Sequence, residues 1–188
     1  MAQAQITPDA TLGPEASLIT PGVALPSGVT ELIEGGAVRG SNLFHSFLEF
    51  NVDLGQRVYF ANPAGIESIL SRVTGGNSSN IFGTLGVDGA ADLFLINPNG
   101  LVFGENATLD IQGSFYGSTA EAIPLGDGVY SATAPERSSL LHIDQRDDQH
   151  LPDGGFWRYP EPGTTGRPGK PDPGRKYPGF ARPGSGGG

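Results

Sequence analysis

Runs of roughly four to eight apolar-rich positions alternate with clusters of Gly, Asn, Asp, Pro and Ser through the middle of the chain, which predicts short strands joined by tight turns. The clearest runs are 43–50, 57–61, 80–85, 93–96, 100–103 and 108–112. Helical periodicity is almost missing, and an interior glycine costs a helix about 1 kcal/mol, so the frequent glycines argue against any long helix. Only residues 66–73 read as helical in isolation. Their flanks, Pro63-Ala64-Gly65 before and Gly75-Gly76-Asn77 after, make a short strand between turns at least as good a reading. The expected class is all-β.

A repeat narrows the choice among all-β folds. Val58-Tyr59-Phe60-Ala61-Asn62-Pro63-Ala64-Gly65-Ile66 lines up with Leu93-Phe94-Leu95-Ile96-Asn97-Pro98-Asn99-Gly100-Leu101, so that strand, Asn-Pro-x-Gly and strand recur from 62 to 97. A type I turn favours Asn first, Pro second because its φ is already near −65°, and Gly fourth. Each tetrad is therefore expected to turn one strand sharply into the next. Strands entering equivalent turns can stack as coils of a solenoid, each burying its apolar face against its neighbours. Residues 6–40, polar and punctuated by proline, are the expected cap of such a stack. A sandwich of hairpins remains open, although its favoured Asn-Gly and Asp-Gly loops are scarce and only Asp127-Gly128 sits near candidate strands.

Composition divides the chain near residue 150. From 152 to 188, 19 of 37 positions are Gly or Pro, and no apolar pattern survives. Such a stretch cannot bury enough surface to offset its ordering entropy, so 151–188 is expected to be a disordered Pro/Gly-rich linker or tail after a folded domain at 1–150. Phe156, Trp157, Tyr159, Tyr177 and Phe180 are expected to be exposed aromatics there, with docking anchors as the alternative. Charge splits at the same place, about −12 before it and +3 after it. An acidic body argues against nucleic acid and against anionic membrane surfaces, both of which recruit Lys and Arg.

Cysteine is absent, which removes disulfides, thiol catalysis and Cys-based zinc sites. No apolar run reaches the roughly 18 residues of a membrane-spanning helix. Ala2-Gln3-Ala4-Gln5 after Met1 looks like the end of a cleaved secretory signal whose leader was replaced by a start methionine. Imidazole chemistry is limited to His45, His142 and His150. His45 lies in an apolar run and is expected to be a hydrogen-bonded structural residue, while His142 and His150 flank Asp144, Asp147 and Asp148 in what reads as a solvated acidic turn. Asp88, Asp92, Glu105 and Asp110 are the carboxylates that a polysaccharide-cleaving β-helix would need on consecutive coils. Asp88 and Glu105 sit at glycine-rich turns, where acidic residues serve turn geometry and solubility. No metal, cofactor or catalytic residue is expected.

From about Ile6-Thr7-Pro8-Asp9 to Leu140-Leu141, the chain resembles the amino-terminal haemagglutination-activity, or two-partner-secretion (TPS), domain of filamentous haemagglutinin-like exoproteins. The resemblance rests on Ile33-Glu34-Gly35-Gly36, Arg39-Gly40-Ser41-Asn42-Leu43-Phe44-His45-Ser46-Phe47, Ala61-Asn62-Pro63-Ala64-Gly65-Ile66 and Ser71-Arg72-Val73-Thr74-Gly75-Gly76. Its most specific part is Ala91-Asp92-Leu93-Phe94-Leu95-Ile96-Asn97-Pro98-Asn99-Gly100-Leu101-Val102-Phe103-Gly104. What the resemblance implies is a right-handed, pectin-lyase-like parallel β-helix, a single-stranded β-solenoid with an N-terminal cap. It also implies recognition by the POTRA domains of an Omp85-type outer-membrane transporter. The family's two marker motifs fall on Asn62, Pro63 and Gly65, with Ala64 a departure, and on Asn97, Pro98, Asn99 and Gly100.

The function so implied is a secretion signal that nucleates β-helix folding outside a Gram-negative-type cell. Passage is through the periplasm to a secreted or cell-surface location, as a monomer. The rivals are an extracellular β-solenoid adhesin that binds cell-surface glycans or receptors, and a β-helical polysaccharide-degrading enzyme.

Overall fold

The computed structural model describes residues 5–126 and 128–138. The expectations for Ala2-Gln3-Ala4, for the His142 to His150 turn and for the tail from 151 lie outside the described residues. Apart from two single 3-10 turns, Gly13–Glu15 and Pro135–Arg137, the described elements are strands. In chain order these are β1 (Ile6–Pro8), β2 (Ser17–Leu25), β3 (Gly28–Gly35), β4 (Ala37–Arg39) and β5 (Asn42–Phe50). There follow β6 (Arg57–Ala61), β7 (Ser68–Val73), β8 (Ser79–Ile81), β9 (Thr84–Asp88) and β10 (Asp92–Ile96). The last are β11 (Leu101–Phe103), β12 (Thr108–Asp110), β13 (Phe115–Ser118), β14 (Ala122–Leu125) and β15 (Gly128–Ser131).

The strands wind into a parallel β-solenoid of about four turns with three faces. β5, β7, β10 and β13 lie side by side and parallel on the first face, and β3, β6, β9 and β12 on the second. A narrow third face is made by β8 and β11 in parallel, with Val52 bridged to Ile81 below them. Register gives each face its ladder: Leu43, Ile69, Leu93 and Phe115 align on the first, so successive coils take 26, 24 and 22 residues. Ile33, Phe60 and Val87 align on the second face. These side chains point inward and, Phe115 apart, are buried, forming the core with Phe47, Phe50, Val58 and Leu85. Each fully buried aliphatic or aromatic side chain of this kind contributes roughly 1.5–3 kcal/mol.

Side chains alternate along a strand, so a second ladder, Phe44, Leu70, Phe94 and Tyr116, points outward from the first face. Its first two members are buried all the same, because Leu12 and the antiparallel hairpin β14–β15 lie on them, with Tyr130, Ile123 and Leu125 facing Phe44, Leu70 and Phe94. At the amino end, β1 pairs antiparallel with β5 and β2 pairs antiparallel with β3. Residues 6–40 thus supply the expected cap, and one of its strands, β3, already belongs to the coil stack.

Of the two readings open for residues 66–73, the strand holds: 68–73 is β7, because Ile69 and Val73 meet the interior while Leu70 packs under the hairpin. Two details differ from the sequence reading. The run 80–85 is two strands, β8 and β9, bent at Gly83, where a Cβ would stand 2.4 Å from the carbonyls of Asp53 and Gln56. The 35-residue repeat is not the coil period. Asn62 ends a second-face strand and neighbours Gly89 of the next coil, whereas Asn97 ends a first-face strand and stacks on Val73. The two tetrads occupy different corners because the same turn chemistry suits any sharp strand-to-strand bend.

Candidate functional site

At the first corner, β6 gives way to β7 through Asn62-Pro63-Ala64-Gly65. The hydrogen-bonded turn is shifted one residue from the expected frame: the Ile66 N–H donates to the Pro63 carbonyl at 3.2 Å. Gly65, at φ +87°, takes the third position, where a type II turn demands a left-handed residue. The Asn62 side chain closes the corner instead, donating from Nδ2 to the Ile66 carbonyl at 3.0 Å. Its Oδ1 accepts the Ala91 N–H of the next coil at 3.1 Å. Pro63, Ala64 and Gly65 are exposed.

The second corner, Asn97-Pro98-Asn99-Gly100, keeps the expected frame, with the Gly100 N–H donating to the Asn97 carbonyl at 3.0 Å. Asn97 is fully buried. Its Nδ2 donates to the Asn77 carbonyl and to Ser79 Oγ of the preceding coil, both at 3.0 Å, and its Oδ1 accepts the Asn99 N–H at 2.9 Å. The Ser79 N–H returns a bond to the Gly100 carbonyl at 3.0 Å. Asn99 is exposed and donates to the Gly75 carbonyl at 2.7 Å. A shallow groove runs beside it, between Pro98 and Asn99, the 73–76 loop and Ala132-Thr133. The two corners are not brought together; each clips its own coil to a neighbour, Asn62 to the coil that follows and Asn97 to the one before.

The other candidates are dispersed. Asp88 and Asp92 flank one corner, Glu105 lies in an exposed turn and Asp110 is in β12 on the second face. Asp92 accepts the Ser114 N–H at 2.6 Å, and Asp110 accepts the Tyr59 hydroxyl and stands 3.9 Å from Arg57. Each of these two thus braces adjoining strands. Among the described residues, no three His, Asp or Glu side chains gather as a metal-ion group. His45 is the structural residue expected of it. It points into the coil interior between Phe47 and Phe60, its Nδ1 lies 3.0 Å from Ser17 Oγ, and burial pushes its pKa down to about 3.

Sequence reasoning missed the polar group that joins the most distant parts of the chain. Arg72, in the middle of β7, is fully buried on the outer side of the first face. The available signal was a cation inside a strand-like apolar run, a place where long charged side chains are rare unless paired. Gly86 and Gly89 carry no such signal, and each is pressed against a side chain of the preceding coil.

The family model described as the TPS secretion domain matches residues 4–147. The heme/hemopexin-binding protein of Haemophilus influenzae is 38% identical over 74 residues, which is 38% of this chain and 7% of that protein. The matched stretch therefore spans only a small part of that relative's length. No solved structure matches the chain.

Proposed function

The chain belongs to the TPS secretion domain family, and on that premise we propose that it is an export signal read in the unfolded state and a folding nucleus once outside. The family is one of secretion domains and not of enzymes; its proteins are secreted exoproteins of Gram-negative bacteria that work with a dedicated transporter. In our reading the POTRA domains of an Omp85-type outer-membrane transporter take the chain from the periplasm as extended segments. Apolar strands of this kind add to an exposed sheet edge through main-chain hydrogen bonds. We assign it no catalytic role.

One observation supports recognition before folding: the leading asparagine of each marker motif is committed elsewhere once the coils close. Asn97 is buried with both ends of its amide bonded, and Asn62 is held between coils. A partner that reads the Asn62 and Asn97 side chains must meet them earlier, when they are accessible together with Pro63, Gly65, Pro98, Asn99 and Gly100. Outside, the capped first coil offers a row of parallel strand edges on which the next coil stacks, and burial of each ladder makes backsliding unfavourable.

The test is secretion of Asn97→Ala and Asn99→Ala chains with the partner transporter supplied, together with capture of the urea-unfolded chain on isolated POTRA domains. Slowed export and weaker capture for both variants are expected. Unchanged export and capture in both would overturn a recognition role for that corner.

A further inference from the structure

Arg72 donates four hydrogen bonds from a site that water does not reach. Nε goes to Ser46 Oγ at 2.8 Å, Nη2 to Thr11 Oγ1 at 2.8 Å, and Nη1 to the Ser131 carbonyl and to Ser138 Oγ, both at 2.6 Å. The ring of Tyr130 lies over the guanidinium at 4.4 Å. Among the described residues no carboxylate touches it directly, and Asp9 is linked to it through the hydroxyls of Thr11 and Ser46 and also accepts from Thr74.

The acceptors come from three separate parts of the chain. Thr11 precedes the coils, Ser46 is in the first coil, and Ser131 and Ser138 follow the last one. Ser138 is itself bonded to the Ser131 N–H at 3.2 Å, so the turn at 131–138 reaches Arg72 as one piece. Removing a guanidinium from water is costly unless its donors find partners. With the turn or the Thr11 segment away, Arg72 is hydrated, and Phe44 and Leu70 beside it lose their cover. Docking either segment alone would desolvate the cation without meeting its remaining donors. Docking both at once meets them together, so the two events are coupled through one side chain.

We propose that the hairpin strands β14 and β15 with the turn at 131–138 are a closing strap and that Arg72 is its latch, engaged by the strap and the N-terminal segment together after the last coil has formed. The first coils to fold are thereby sealed last, and the Thr11 segment and the 131–138 turn meet only when all the coils between them are present. For the export reading, on which this setting rests, the domain becomes fixed as a unit when residue 138 is outside the cell.

Hydrogen exchange of the full chain tests this, comparing Ser138→Ala and Thr11→Val with the parent. Each substitution sits at one end of the network, and neither touches the solenoid interior. Exchange about tenfold faster is expected at both 9–12 and 128–138 in either variant, while β7, β9 and β10 keep their protection. Loosening confined to the substituted segment, loosening of neither, or opening of the coils along with the strap would overturn the latch. The experiment contains no transporter, so such a result leaves the export reading standing, and failure of the secretion test above leaves the latch standing.

Discussion

Gly89 meets the Asn62 side chain of the preceding coil so closely that a Cβ at position 89 would fall 2.2 Å from Asn62 Oδ1. The contact lets that oxygen reach the Ala91 N–H two residues further on. A glycine that looked like simple turn punctuation is therefore the seat of a side chain that clips two coils.

Gly89→Ala is expected to cost about 1–3 kcal/mol, the usual penalty for forcing atoms into a filled site. Asn62→Ala should cost about 1–2 kcal/mol for its lost bonds, and the double substitution should cost less than the two together, because the contacts with Asn62 Oδ1 and Cγ go with the amide while the one with Asn62 Cβ, at 2.6 Å, stays. Urea unfolding of the four chains measures this; strict additivity would mean that the two residues do not meet.

Asn97 and Asn99 belong to one corner yet should differ in stability. Asn97→Ala leaves the buried Ser79 hydroxyl and the part-buried Asn77 carbonyl without their donor and is expected to lose about 1–3 kcal/mol. Asn99→Ala removes an exposed bond to Gly75 and should lose less than about 1 kcal/mol. Thermal melts of the purified variants separate the two, and they also show how much of an export defect in each belongs to folding.

On the second face, Tyr59 lies flat over Gly86 and gives its hydroxyl to Asp110 one coil further on, with Arg57 Nη2 donating to that hydroxyl at 2.6 Å. A Cβ at Gly86 would stand 2.4 Å from the Tyr59 ring and 2.8 Å from the Asp110 carbonyl. Gly86→Ala should cost about 1–3 kcal/mol by overpacking, and Tyr59→Phe about 1 kcal/mol. Equal midpoints for Gly86→Ala and the parent in urea would contradict the close contact.

Acid should weaken the fold, and His45 sets the window. Its folded pKa is about 3 because of burial, below the 6.5 of the free side chain, so the unfolded chain binds the extra proton. Its contribution to stability is present above pH 6.5 and is lost progressively as pH falls toward 3. Asp9 acts in the same sense at lower pH. Burial raises its pKa, but the hydrogen bonds from Thr11, Thr74 and Ser46 outweigh that and hold it below the ordinary carboxylate value. Urea midpoints measured from pH 7.5 to 4 should fall, and His45→Gln should flatten the decline between about pH 6.5 and 4. A parent and variant with parallel profiles would refute the role of His45.

How much of this was legible in the sequence follows from the range of each interaction. Alternating apolar strands and the two Asn-Pro-x-Gly turns are local, set by side-chain alternation and by the φ of Pro and Gly, so the all-β class and the sharp corners could be read directly. The amino-acid order around residues 91–104 was specific enough to carry the family as well. Tertiary structure alone decided which strands became neighbours: Leu43 on Ile69 on Leu93 is a pairing across whole coils, and the 35-residue repeat gave a wrong period because it counted turns that serve different corners. Arg72 was equally hidden, since Thr11, Ser46, Ser131 and Ser138 come within reach only when coils, cap and strap are assembled. A turn is fixed by the residues within it, whereas the cost of burying a cation is met only by groups that the rest of the fold brings to it.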